Sequence, residues 1–160
     1  MTRSSIDFPK YPDDVTDLNA LQETRELAML THRAAALAGA DLTRAAEPMG
    51  LTASTARVLL LLEEPMPMRR IADRLRVDAS YVTGVADELE SCGMAKRATG
   101  SDRRVKLLAP TPTGAETRAR LVDAVTSEST AMRALDARER AQLRALLTKL
   151  VDAARSPAAR

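Results

Sequence analysis

Aromatic side chains are nearly missing from this 160-residue chain: they occupy 2% of positions and include no tryptophan, whereas 45% of the residues are hydrophobic. A core of this composition consists of leucine, valine, alanine and methionine. Helices pack such residues well, while strands favour aromatic and β-branched residues. The composition therefore predicts a mainly α-helical protein.

Other absences narrow the classes of function. The single cysteine, Cys92, excludes an internal disulfide and cannot supply a metal cluster. The chain has one histidine, His32, and neither a glycine-rich phosphate loop nor a His-Glu-x-x-His pattern, so it offers no set of nucleophile, base and stabiliser. We expect a protein that is not an enzyme and has no catalytic, cofactor-binding or metal-binding residues.

No hydrophobic run reaches the roughly 18 residues that cross a bilayer, and residues 1–14 lack the apolar segment of a signal peptide. We therefore expect a cytoplasmic protein without a membrane partner. The net charge of +2 says little, but residues 66–108 and 109–160 each carry nine basic and six acidic side chains, against six and ten in residues 1–65. A basic middle segment is what a nucleic-acid-binding surface there requires.

Apolar residues recur every three to four positions in three short segments of the middle of the chain, which is the spacing of amphipathic helices. These predicted helices span about residues 52–62, 68–75 and 79–91. Thr52 and Asp78 are suited to cap the first and the third, and Gly93 is suited to end the third in a left-handed conformation.

The apolar spacing then changes to alternation, which is typical of strands. Residues 94–98 and 104–108 form two predicted strands, and residues 99–102 (Thr-Gly-Ser-Asp) form the turn between them. Two short helices followed by such a two-stranded hairpin indicate a winged helix-turn-helix.

Long amphipathic helices flank this central part. An apolar stripe predicts a helix over 17–47. Thr111-Pro112 predicts the start of a helix to about residue 133, and Asp136 with Glu139 resembles the capping box of a last helix. A 160-residue monomer cannot easily cover these stripes, so we expect the flanking helices of two copies to interleave.

The predicted fold class is mainly α with a small β-wing: a winged helix-turn-helix flanked by long N- and C-terminal dimerisation helices. The central part would bind DNA, because an exposed helix fits the major groove. We divide one continuous domain into an irregular arm at 1–16, an N-terminal dimerisation helix at 17–47, a winged helix-turn-helix at 51–110, and C-terminal dimerisation helices at 111–155.

Short motifs follow one another along the central part. They are Leu51-Thr52, Val58-Leu59, Ile71-Ala72-x-x-Leu75, Val82-Thr83, Leu89-Glu90-x-x-Gly93-Met94, Lys96-Arg97, Asp102-Arg103-Arg104 and Thr111-Pro112-x-Gly114. In this order and spacing they resemble the MarR (multiple antibiotic resistance regulator) family of transcription regulators. No single motif is specific, but the whole set over residues 51–114 is. One departure is Gly84, which stands where the family often has arginine.

The resemblance implies a homodimer that binds a pseudo-palindromic operator, usually as a repressor released by a small aromatic ligand or by oxidation. The function expected is that of a sequence-specific transcription regulator. Its expected partners are duplex DNA, a second copy of the chain and a small aromatic effector.

The N-terminal half of the predicted helix at 79–91 would reach base edges in the major groove. Hydroxyl groups there can bond bases or phosphates, and a glycine allows close approach; the outward residues concerned are Ser80, Tyr81, Thr83 and Gly84. Asp87 and Glu90 would repel phosphate, so we expect that end to point out of the groove and these two acids to pair with arginines of the wing or of the preceding helix.

The wing turn carries Asp102-Arg103-Arg104. A guanidinium in a narrow minor groove meets a strongly negative potential, so we expect Arg103 or Arg104 to insert and Asp102 to hold its rotamer. Cations around the helix at 68–75 would neutralise phosphates; they are Arg69, Arg70, Arg74 and Arg76. For each of these charges a solvated surface position is the plainer alternative.

Two other functions stay open at this point. One is a winged-helix protein-interaction module without specific DNA readout, whose wing would need no arginine. The other is a thiol-based redox-sensing regulator acting through Cys92. We expect Cys92 itself to be a small, partly buried residue at a helix end, and His32 to lie on a helix surface or interface.

Overall fold

The computed structural model describes residues 15–99 and 105–153. Packing divides the chain into two compact units, Met1–Ala36 and Leu37–Arg160. The first unit contributes the N-terminal part of a long helix, α1 (Val15–Ala46), which begins within the arm predicted at 1–16. All the other described elements belong to the second unit.

After a short 3-10 helix (Glu47–Met49), the second unit follows the predicted order of short helices, hairpin and long helices. The elements are α2 (Ala53–Leu61), β1 (Met66–Pro67), α3 (Met68–Leu75), α4 (Ala79–Ser91), β2 (Ala95–Thr99), β3 (Lys106–Pro110), α5 (Pro112–Glu128), α6 (Thr130–Arg133) and α7 (Ala137–Ala153). The predicted fold class, mainly α with a small β-wing, is confirmed. The second hairpin strand begins two residues later than predicted.

The sheet has three strands rather than the two predicted. Both β1 and β2 pair antiparallel with β3, in the order β1-β3-β2. In β1, Met66 lies opposite Leu108 and Pro67 opposite Leu107. A two-residue strand ending in proline has no recognisable alternation, which is why the sequence pattern indicated only the end of a helix at this point.

The core of the second unit is aliphatic, as the composition requires. Its side chains come from the end of α1, the three short helices, the sheet and α5. Those completely shielded from solvent include Val58, Leu59, Ile71, Val82, Ala86, Leu89, Leu108 and Leu121. Met66 is also buried, at 4% exposure, and Met68 packs against this cluster. Val82, Val85, Ala86 and Leu89, the apolar residues at helical spacing in 79–91, are all buried.

Most of the predicted helix caps are present. The Thr52 hydroxyl accepts a hydrogen bond from the Thr55 N–H. Asp136 and Glu139 cap each other's backbone N–H groups, both at 2.8 Å, as a capping box does. Asp78 occupies the N-cap of α4 with extended backbone, but its side chain makes no capping hydrogen bond, so that part of the prediction was wrong.

The helix predicted from residue 112 to about 133 is interrupted. Ser129 leaves helical geometry (ψ 106°) between α5 and α6, and its hydroxyl accepts a hydrogen bond from the Met132 N–H at 3.2 Å. The same hydroxyl donates to the buried carboxylate of Asp41, also at 3.2 Å. A partner 88 residues away in sequence favours the interruption, and local spacing could not reveal it.

Thr111 and Gly114 fasten the start of α5 to the end of α4. The Thr111 hydroxyl donates to the Gly93 carbonyl at 2.6 Å and accepts from the Gly114 N–H at 3.0 Å. Gly114 is buried, and a Cβ at this position would lie 1.8 Å from the Met94 carbonyl oxygen. The Thr-Pro-x-Gly motif thus combines a helix cap with a backbone contact that only glycine permits.

Replacing Gly114 by alanine should destabilise the protein, because backbone atoms would have to move away from the new Cβ. We expect a loss of about 1–3 kcal/mol, the usual range for overpacked sites, measured by chemical unfolding. Gly84→Ala is the matched control: a Cβ added at this position within α4 would meet nothing within 4 Å, and alanine there should add about 0.5–1 kcal/mol. Equal stabilities for the two variants would contradict the close approach at Gly114.

Candidate nucleic-acid interface

Two helices and a tight turn form the centre of the candidate interface. The turn between α3 and α4 begins with Arg76, whose backbone is left-handed (φ 56°, ψ 48°). Its neighbour Val77 donates its N–H to the Ala72 carbonyl at 3.1 Å, which closes the end of α3. The other left-handed residues described are Gly50 and Gly93. An arginine at such a position costs about 1–2 kcal/mol relative to ordinary helical backbone.

The outward face of α4 is open to solvent over its N-terminal half. Val82 is buried there, whereas the four predicted contact residues of this segment are exposed: Ser80, Tyr81, Thr83 and Gly84. The Thr83 hydroxyl donates to the Ala79 carbonyl at 3.0 Å and keeps its acceptor capacity. With no side chain at Gly84, another backbone or a nucleotide can approach the helix closely.

Exposed arginines surround α3. Arg69 and Arg70 lie in its first turn, and Arg74 and Arg76 at its end. Arg70 and Arg74 share a cleft with Glu63 and Glu64. Acidic neighbours reduce the local potential at these two, so Arg69 has the more favourable surroundings for an anion.

The hairpin formed by β2 and β3 lies next to α4. Arg97 of β2 is opposite Leu108, and Thr99 is opposite Lys106 at the far end of the described ladder. The turn that connects the strands, including Asp102, Arg103 and Arg104, lies outside the described residues. The roles assigned to those three residues stay predictions.

Arg97 ties the hairpin to α4. Its guanidinium donates to the Asp87 carboxylate at 2.7 Å, to the Glu90 carboxylate, and to the Thr83 carbonyl at 3.4 Å. The hydrogen bond to Asp87 is the main cause of a raised pKa for Arg97, with Coulombic attraction to both acids adding to it. The prediction that Asp87 and Glu90 pair with a wing arginine is confirmed, although the motif Lys96-Arg97 did not single out Arg97.

Two further residues differ in how they match expectation. Cys92 is exposed rather than partly buried, because it follows the last turn of α4 on the solvent side. His32 is exposed on α1, as expected of a helix-surface histidine.

Among residues 15–99 and 105–153, no group of three or more His, Cys, Asp or Glu side chains could hold a metal ion. No helix in this part of the chain is long and apolar enough to cross a membrane.

A helix pair joined by a tight turn, with an antiparallel hairpin fastened beside its second helix, defines a winged helix-turn-helix protein.

Protein-family models and curated proteins give no match to the chain, but solved structures do. A MarR-family transcriptional regulator from Rhodococcus sp. RHA1 has 25% identity and a TM-score of 0.71, with 79% of this chain and 93% of that chain covered.

Two other neighbours have similar scores. CouR from Rhodococcus jostii RHA1, bound to p-coumaroyl-CoA, has 26% identity and a TM-score of 0.73, covering 79% of this chain and 92% of its own. A cysteine-to-serine mutant of MarR from E. coli, complexed with operator DNA, has 26% identity and a TM-score of 0.70, covering 80% and 95%. These neighbours confirm the resemblance found in the motifs: the chain shares its fold with these MarR-family transcriptional regulators.

Proposed function

We propose that the chain is a homodimeric, sequence-specific DNA-binding transcription regulator, a ligand-responsive repressor of a pseudo-palindromic operator. The observation that carries this proposal is the exposed N-terminal half of α4 beside a hairpin held to it by Arg97. The MarR neighbour complexed with operator DNA supports the same use of this surface here. The neighbours described are transcriptional regulators, which favours a function other than catalysis. A DNA-binding role also favours a location in the cytoplasm, where bacterial DNA lies.

Each part of the surface has a proposed role. In the major groove, Ser80, Tyr81 and Thr83 contact bases and phosphates, and Gly84 lets α4 lie close to them. In the adjacent minor groove, Arg103 or Arg104 inserts, oriented by Asp102. Phosphate neutralisation falls to Arg69 and Arg70.

Binding to a duplex from the promoter beside the gene should be strong and salt-dependent. We expect Arg69→Ala to weaken binding to all sequences alike and to reduce the slope of log K against log[salt] by about 1. The double variant Arg103→Ala/Arg104→Ala should weaken binding more than Arg69→Ala does. Fluorescence anisotropy over a range of salt concentrations measures both effects.

Arg120→Ala is the control for this experiment, because Arg120 is also exposed but lies on α5. It should bind DNA like the unchanged protein. Absent or salt-insensitive binding by the unchanged protein would refute DNA recognition. Normal binding by the double wing variant would favour the protein-interaction module or a different DNA surface.

Exposed apolar faces support a homodimer. Of the twelve large hydrophobic side chains exposed in the described residues, ten lie on α1 or α7, among them Leu21 and Leu146, each 65% exposed. On α7, Leu146, Leu150 and Val151 share one side of the helix. Burying one such side chain contributes about 1.5–3 kcal/mol, which gives two copies a strong reason to associate through these helices.

Analytical ultracentrifugation should find a dimer, and DNA footprinting should find protected half-sites about 34–36 Å apart. The variant Leu146→Asp/Leu150→Asp should dissociate the dimer, since two charges would enter an apolar interface. Ala145→Asp is the control, because Ala145 is exposed and lies neither three nor four residues from Leu146, Leu150 or Val151, so this variant should leave the dimer intact. A monomer at micromolar concentration of the unchanged protein would contradict the proposal.

An effector site is the finer part of the proposal. A cleft of about 440 Å³ in the second unit is lined by Val125, Thr126, Ser129, Met132, Arg133 and Arg140. Its volume lies within the range of small-molecule sites. Apolar side chains next to two guanidinium groups suit an aromatic carboxylate. The neighbour CouR, bound to p-coumaroyl-CoA, supports an aromatic effector.

A panel of benzoates and hydroxycinnamates should therefore contain compounds that raise the thermal midpoint and release DNA. Arg133→Ala should abolish both effects while leaving DNA affinity unchanged, whereas Arg120→Ala should retain them. Ligand effects that persist in Arg133→Ala would place the effector elsewhere.

The thiol of Cys92 is exposed, which allows a test of the redox-sensing alternative. DNA release by peroxide that is lost in Cys92→Ser would favour that alternative.

A further inference from the structure

The contacts of Arg97 cover two successive turns of α4. Its three partners on that helix are Thr83, Asp87 and Glu90, which follow one another by four and three residues and so share one face. Strand β2 therefore lies along this face, with one side chain of the strand holding it in place. A single surface ion pair does not fix an orientation in this way, because it constrains only one point.

Glu90 makes the attachment rigid. One oxygen of its carboxylate accepts from the Arg97 backbone N–H at 2.7 Å, and the other accepts from the Arg97 guanidinium. The carboxylate thus holds both the backbone of β2 and its side chain. Glu90 is 30% exposed and Arg97 32%, so water competes less with this pair than with Asp87, which is 63% exposed.

The base of the hairpin is held from two sides. In the sheet, Arg97 lies opposite Leu108, which is completely buried in the core. On the helix side, the only described side-chain contacts of Arg97 are those with α4. Burial of Leu108 fixes the sheet against the core, and the hydrogen bonds of Arg97 fix the direction of β2 along α4. The chain that continues beyond Thr99 carries Arg103 and Arg104.

The same contacts alter the charge of α4. Asp87 and Glu90 are two acids on a helix that would face DNA, and each alone would repel phosphate. With Arg97 bound to both, the group carries a net charge of −1 instead of −2. The pairing with Arg97 therefore reduces the repulsion between these two acids and DNA phosphates.

We propose that Arg97, Asp87 and Glu90 form a clamp that makes the hairpin and α4 act as one DNA-reading unit, with Arg97 and Glu90 as positioning residues rather than DNA contacts. This inference rests on the proposed function. The clamp fixes the angle between the two elements before DNA arrives, so each element's contacts depend on the other's. Breaking the contacts of the clamp therefore reduces the contribution of Arg103 and Arg104 to DNA affinity, although both side chains are still present.

Glu90→Gln tests the clamp by the sign of its effect. The substitution removes a negative charge from the helix proposed to read DNA, so electrostatics alone would raise the affinity for this polyanion. The clamp requires the opposite: we expect about fivefold weaker binding, because a hydrogen bond to a charged group is lost. Arg97→Lys should behave alike, since a lysine keeps the charge but lacks the planar fork of donors with which the guanidinium meets both carboxylates.

A double-mutant cycle provides the second readout. Arg103→Ala/Arg104→Ala is introduced into the unchanged protein and into Glu90→Gln, and DNA affinity is measured by anisotropy. We expect the arginine loss to matter at least about threefold less in the Glu90→Gln background, which is a coupling typical of interacting groups. Glu63→Gln, which breaks the pair between Glu63 and Arg118, is the matched control and should give additive effects.

Unchanged or stronger binding by Glu90→Gln, or full additivity in the cycle, overturns the clamp while leaving the proposed function intact. Failure of the unchanged protein to bind any duplex overturns the proposed function, and the clamp with it. Thermal midpoints recorded for every variant separate a loss of positioning from a loss of folded protein. A fall in affinity that merely follows a lower folded fraction also counts against the clamp.

Discussion

Burial of one face of α4 is the interaction on which the rest of the second unit depends. Val82, Ala86 and Leu89 are completely shielded from solvent; the valine and the leucine each contribute about 1.5–3 kcal/mol by leaving water, and the alanine methyl about 0.8 kcal/mol. Because a helix turns by a fixed angle per residue, seating these side chains also determines where Ser80 and Thr83 point. The direction of the candidate reading face is thus a consequence of hydrophobic packing, not of contacts on the face itself.

The end of α4 transmits this constraint to the elements that follow. Gly93 is left-handed (φ 69°) and donates its N–H to the Glu90 carbonyl, while Met94 donates to Leu89, as in a Schellman motif. The carbonyl groups of Gly93 and Met94 then receive the Thr111 hydroxyl and N–H, respectively. The end of the reading helix and the start of α5 are therefore one hydrogen-bonded junction. A shift of one cannot leave the other in place.

Sequence patterns predicted what local chemistry determines. Apolar spacing located the helices, and the caps at Thr52 and Thr111 were recognisable because their partners lie three residues away. Features set by distant partners were missed. The interruption at Ser129 involves Asp41, and β1 exists because Met66 meets Leu108 across the sheet. Both depend on tertiary contacts that leave no local trace.

The candidate site was predictable to the same extent. Helical spacing alone identified the outward residues of α4, and exposure confirms that they face solvent. The pairing of Asp87 and Glu90 followed from charge, but the choice of Arg97 requires the strand register. Base contacts by Ser80 or Arg103 stay predictions, because specificity depends on the DNA sequence as much as on the protein.

Folding and assembly are coupled in the proposed dimer by the state of α1. Every side chain described between Leu18 and Ala36 is exposed within its own unit, and a helix in a protein gains most of its stability from packing of its apolar face. The leucines of this segment gain stability only when something covers them. If the cover is a second copy, the free energy that orders α1 is the free energy of association, and both depend on protein concentration. An operator that binds two reading helices at once would then stabilise the flanking helices as well, because it holds the two copies together.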